Sequence, residues 1–196
     1  STTFDPIFTI LAPDTWVLSQ FYSMLVRANA DATGIEPDLA ESWEVSPDGK
    51  TYTFHLRDTT FSDGAPVKAS DVAFSLKRVR DEEQSPMRSL YAVMTDVAAP
   101  NDRTVVITLS SAAPSFISTL AMFASSIVPQ HAVEAAGEKF GEKPVGSGAF
   151  VLKEWKRGDK VVLEKNPTYW EEGLPKLDGI EWIYVPNDNT RMLKLT

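Results

Sequence analysis

The segment that most constrains this chain is ESWEVSPDGKTYTFHLRD, residues 41–58. Trp43 and Val45 alternate with polar residues, then Ser46-Pro47-Asp48-Gly49 intervenes. Proline is preset for a turn and glycine reaches positive φ without strain. Tyr52, Phe54 and Leu56 then alternate with Thr51, Thr53, His55 and Arg57. A period of two on both sides of a turn predicts an antiparallel hairpin with one face buried. Asp96–Ala99, the Pro100-Asn101-Asp102 turn and Val105, Ile107 and Leu109 repeat the pattern. So does FVLKEWKRGDKVVLEKN, turning at Arg157-Gly158-Asp159, and IEWIYV, residues 180–185, adds a strand closed by Pro186. Between the strands, Val72, Leu76 and Val79 line one face of a predicted helix, Ala69 to Asp81, with Asp71 in its first turn to suit the helix dipole. Ser115–Ala124 and Ala132–Phe140 are predicted as shorter helices, and another starts at Asn189-Thr190. Hairpins with interspersed helices predict an α+β fold of mixed, largely antiparallel sheets.

Composition narrows the function. There is no cysteine, which excludes disulfides, thiolate metal sites and a cysteine nucleophile. With 19 Lys+Arg against 27 Asp+Glu the net charge is −8, which disfavours nucleic acid and anionic membranes as partners. Thr104 to Val133 carries no Lys, Arg, Asp or Glu, and a spanning helix needs about 20 apolar residues. Pro114, Thr119 and six serines between Ser110 and Ser126 interrupt it, so a strand, a turn and a half-buried helix are expected. The opening STTFDPIFTI has no basic region followed by an apolar run, so no signal peptide is visible. The apolar-periodic Met192-Leu193-Lys194-Leu195 has no helix stop after it, and the chain reads as a piece of something longer.

No catalytic constellation is apparent. His55 lies on the polar face of a strand and His131 follows Pro129, neither with a second histidine at metal-ligand spacing. Gly146 and Gly148 of PVGSGAF precede a strand, whereas a phosphate loop precedes a helix, so they read as close backbone packing. Asp81-Glu82-Glu83 and Glu171-Glu172 read as solvated runs. A hydrolase with two carboxylates stays as an alternative, since such a pair needs only spatial proximity. No metal or cofactor is expected. Trp16, beside Pro13 and Asp14 in a stretch read as loop, is a candidate binding aromatic.

Three blocks, PDLAESWEVSPDGKTYTFHLRD, FSDGAPVKASDVAFSLKR and PVGSGAFVLKEWKRGDKVVLEKNPTYW, resemble the extracellular solute-binding proteins of the peptide/nickel class, the ligand receptors of ABC importers. FDP near the start and VPNDNTRMLKL at the end fit as well. The resemblance implies one lobe of a two-lobed periplasmic-binding-protein type II fold. Residues 1–22 and 129–196 would form part of the base lobe and 23–128 a smaller subdomain, with the first strand, the second lobe and a returning C-terminal segment outside this chain.

It also implies a non-enzymatic receptor, periplasmic or otherwise extracytoplasmic, that delivers a peptide to the membrane subunits of an importer. An oligosaccharide, an opine-like compound or a metal chelate are the alternative solutes. In relatives an extended segment after the Asp-Pro pair runs beside the peptide, here Ile10, Leu11, Ala12 and Pro13; Ile10 and Leu11 could equally line the core. Met87 after Ser85-Pro86, nearby Tyr91, and Met122-Phe123 correspond to other cleft-facing positions. Two departures stand out: Ser23-Met24 replaces the usual Glu-Gly, and Lys68 replaces a threonine cap. With a lobe absent, weak solute binding and self-association through an exposed sheet edge are expected.

Overall fold

The computed structural model describes residues 3–185. The chain builds two hydrophobic cores around three antiparallel sheets. The first is a four-stranded sheet of β3 (Ala40–Val45), β4 (Thr51–Leu56), β5 (Met94–Asn101) and β6 (Thr104–Leu109), in the order β3-β4-β6-β5. Trp43, Phe54 and Val105 lie in register across it, and Tyr52, Phe54 and Leu56 alternate into the core as the hairpin pattern requires. Helix α2 (Ala69–Asp81) runs over the predicted span and buries Val72, Leu76 and Val79 with this sheet.

The small hairpin of β1 (Val26–Ala28) and β2 (Ile35–Pro37) extends this unit. The second core gathers Phe4, Val17, Leu18, Phe21, Phe140 and Leu163 against β7 (Phe150–Lys156), β8 (Lys160–Lys165) and β9 (Gly179–Ile183). β9 ends two residues earlier than expected, and the helix expected at Asn189 lies outside the described residues.

Several elements differ from expectation. Most of the stretch 10–20, read as loop, instead lies in helix α1 (Ala12–Phe21). Pro13 and Asp14, taken as turn residues, occupy its first turn, where a missing N–H and a carboxylate are both favourable. Asp14, Val17, Leu18 and Phe21 share its buried face. The expected helix at 115–124 breaks into α4 (Phe116–Thr119) and a 3-10 turn at Phe123–Ser125. That at 132–140 begins earlier, as α5 (Gln130–Ala136), and yields to a 3-10 segment at Gly137. A further helix, α3 (Arg88–Tyr91), precedes β5. No helix among the described residues is long and apolar enough to cross a membrane.

One polar stripe of α2 joins the two cores. Asp71, Ser75 and Arg78 are four and three residues apart and therefore share a face. Asp71 Oδ1 accepts the Gln130 N–H at 3.0 Å. Ser75 Oγ accepts the Val128 N–H at 3.0 Å and donates to carbonyl oxygens. Arg78 grips Asp5 with both terminal nitrogens, at 2.8 and 2.6 Å. The two chain crossings between the cores also bond directly, Ile127 N–H to Ser23 O at 2.9 Å. Lys68 caps α2 with no side-chain acceptor. Instead Asp71 reaches back to the Lys68 N–H, and the Asp102 carbonyl accepts the Ala69 N–H.

Gly148 donates to Phe21 O at 2.7 Å. A Cβ there would sit 2.4 Å from Gln20 O, and one at Gly146 2.2 Å from Phe21 O, so these glycines admit close backbone packing.

Candidate ligand-facing surface

The entry to α1 is shaped by two buried polar groups. Thr9 Oγ1 donates to Asp14 Oδ2 at 3.0 Å and accepts the Leu11 N–H at 3.2 Å. The Leu11 carbonyl accepts the N–H groups of Asp14 and Thr15. This local network fixes the bend from 9 to 14 and leaves apolar side chains in solvent. Ile10 is 59% exposed, Leu11 53% and Trp16 62%, with Phe8 at 39% before them. Ala12 and Pro13 are exposed as well. The expected extended segment is therefore only Ile10 and Leu11, while Ala12, Pro13 and Trp16 ride on the first turns of α1. Scattered exposed apolar residues are ordinary, but four within nine positions about one bend are a concentration that makes this segment the candidate surface.

The other expected residues divide. Met122 and Phe123 are partly exposed at the 3-10 turn that packs against α1, and Phe123 touches both cores. Met87 is partly exposed at the start of α3.

Tyr91 does not belong to the surface. Its ring is fully buried and its hydroxyl bonds to Ser125 Oγ at 2.6 Å. Burial pushes its phenol up to about 12, so the hydroxyl stays protonated. Its role is support, because it ties the helix after Met87 to the turn after Met122. Pro13 separately edges a cleft of about 420 Å³ with Val17, Trp155 and Trp182. Phe8, two residues beyond the Asp5-Pro6 pair, is a further exposed apolar side chain that the sequence pattern did not single out. No group of three or more metal-ligating side chains occurs among the described residues. Exposed His131 meets Asp63 at 2.8 Å, an isolated surface contact.

Glu171 departs from the solvated reading. It accepts from Arg27 at 3.0 Å, which holds its carboxyl below the ordinary range. Beside it the Arg57 guanidinium lies 3.6 Å from the Trp170 ring centroid.

Two cores are thus bolted together along α2, and the bend before α1 exposes apolar side chains. The chain belongs to the bacterial extracellular solute-binding proteins of family 5, whose middle region matches residues 34–196. It is 36% identical over 196 residues to the glutathione-binding protein GsiB of Salmonella typhi, covering 99% of this chain and 38% of that protein. Among solved structures it is similar to the binding protein AgaA in complex with agropinic acid from A. tumefacien R10. There the TM-score is 0.94 and the identity 33%, covering 99% of this chain and 40% of that one. It is also similar to Haemophilus influenzae OppA in complex with the peptide RPPGFSPFR, with TM-score 0.91, 29% identity and coverage of 98% and 42%. The chain thus spans about two fifths of the length of these relatives. Its family is one of solute-binding proteins rather than enzymes, which removes the hydrolase alternative.

Proposed function

We propose that this chain forms one wall of the solute site in a receptor that delivers peptide-like compounds to the membrane subunits of an ABC importer outside the cytoplasm. The exposed Ile10, Leu11 and Trp16, held outward by the Thr9–Asp14 bond, carry this reading. Met87, Met122 and Phe123 extend the wall through the elements that α1 and Tyr91 hold together. Methionine suits a surface that must accept varied side chains. Residues 1–22 and 129–196 act as part of a base lobe and 23–128 as a subdomain on it. A second wall would face this one across the solute. Closure of two walls on the solute would create the state an importer recognises.

A peptide is favoured by the glutathione-binding relative and by the peptide-bound OppA. An opine is the second reading, supported by the likeness to AgaA with agropinic acid. Photocrosslinking separates them. Glutathione and agropinic acid, each carrying a photoreactive group, are irradiated with the chain at millimolar concentration and the adducts mapped. Adducts at residues 8–16, 87 and 122–123 from the peptide support the reading. The same adducts from the opine alone favour the second. Adducts confined to other surfaces overturn both.

A further inference from the structure

Where the segment after β8 meets the first unit, a buried carboxylate lacks an ion pair of its own among the described residues. Asp38 is 4% exposed, and its Oδ2 accepts the Met24 N–H at 2.8 Å. The cations that face it are engaged elsewhere. Arg27 on β1 binds Glu36 of β2 at 2.7 Å and Glu171 at 3.0 Å. Arg57, after β4, stacks on Trp170 and donates to the Asp38 backbone carbonyl. The charge of Asp38 also acts on Tyr169, whose hydroxyl donates to Glu171 at 3.4 Å. The pocket therefore sets three carboxylates, Glu36, Asp38 and Glu171, against two guanidiniums. When charged, Asp38 draws on the same Arg27 charge that holds Glu171, and Arg27–Glu171 ties the segment after β8 to β1. When neutral, it leaves two carboxylates for two cations.

We propose that Asp38 is a proton-operated latch, whose protonation tightens the seating of Tyr169, Trp170 and Glu171 on the unit built from β1 and β4. Burial, the largest influence, lifts its carboxyl from 3.8 to about 6, against the lowering effect of the Met24 N–H and of Arg27. A folded-state value above the unfolded one gives stability that is complete below the unfolded value and is lost as pH rises through the folded one. Between about pH 7.5 and pH 5, Asp38 would raise the folded-to-unfolded ratio about tenfold.

The test has three readouts on the 196-residue chain. Carboxyl ¹³C resonances give the Asp38 midpoint in the wild type. Urea unfolding at both pH values compares the wild type with Asp38→Asn. Amide hydrogen exchange, corrected for its intrinsic pH dependence, follows residues 169–171. The expected results are a midpoint near 6, a tenfold gain absent from the variant, and slower exchange at 169–171 in acid. A midpoint near 3.8 overturns the proposal. So does a gain shared by Asp38→Asn, or an exchange rate at 169–171 that ignores the Asp38 proton. If the variant does not fold, the wild-type titration and exchange decide.

Discussion

Arg78 holds Asp5 by a paired contact, Nη1 to Oδ1 at 2.8 Å and Nη2 to Oδ2 at 2.6 Å, with side chains only 16% and 6% exposed. The two residues stand 73 apart in sequence and come from opposite sides of the boundary between the cores. Phe4, before Asp5, is packed in the second core and Ile7, after it, in the first, so the pair pins the strand of chain that passes between them. Removing one partner leaves a buried charge without its counterion, a loss of about 3–5 kcal/mol. Urea denaturation of Asp5→Ala and of Arg78→Met is expected to give losses in that range. The double variant should lose clearly less than the sum, because neither charge is then stranded.

Ser75, one turn before Arg78 on the same stripe, bonds across the same boundary. Ser75→Ala leaves the buried Val128 N–H without its acceptor, which costs about 1–3 kcal/mol. The expected reading is a lower denaturation midpoint with an unchanged m-value, since the folded topology is kept.

Gly148→Ala should be worse than its size suggests. The added carbon meets backbone atoms of Gln20 and Phe21, which cannot rotate aside. A loss of about 1–3 kcal/mol or more is expected in thermal unfolding. Gly158→Ala is the control for positive φ alone, since nothing lies within 4 Å of its added carbon.

Trp16→Ala separates the surface role from a packing role. Exposed positions away from caps and cores change stability by about 0.5 kcal/mol or less. The variant should therefore melt like the wild type while losing most of its crosslinking to a photoreactive peptide. A large drop in stability would mean that Trp16 is a packing residue.

The fold was legible where period and turn chemistry agreed. The Trp43–Leu56 hairpin and α2 lie where alternation and the spacing of Val72, Leu76 and Val79 placed them. α1 was not legible, because Ile10, Leu11 and Trp16 are apolar yet fall off the buried face defined by Asp14, Val17, Leu18 and Phe21. The residues that blurred its period are those proposed as the ligand wall. A local pattern and a binding requirement conflict at such places. Tyr91 was misplaced because proximity in sequence to Met87 says nothing about which side of a short helix is covered. The helix that carries Asp71, Ser75 and Arg78 was visible from the spacing of its apolar residues. Its partners Gln130, Val128 and Asp5 were not, since tertiary bonds leave no period in one sequence.

The central claim is that the bend before α1 is a wall for a peptide-like solute. Titration of the ¹⁵N-labelled chain with glutathione, followed through its backbone amide resonances, tests it most directly. One wall offers only part of a site, so millimolar affinity is expected, with shifts concentrated at residues 8–16 and 122–123. Shifts confined to the cleft between Trp155 and Trp182, or none at saturating millimolar peptide, would contradict the account.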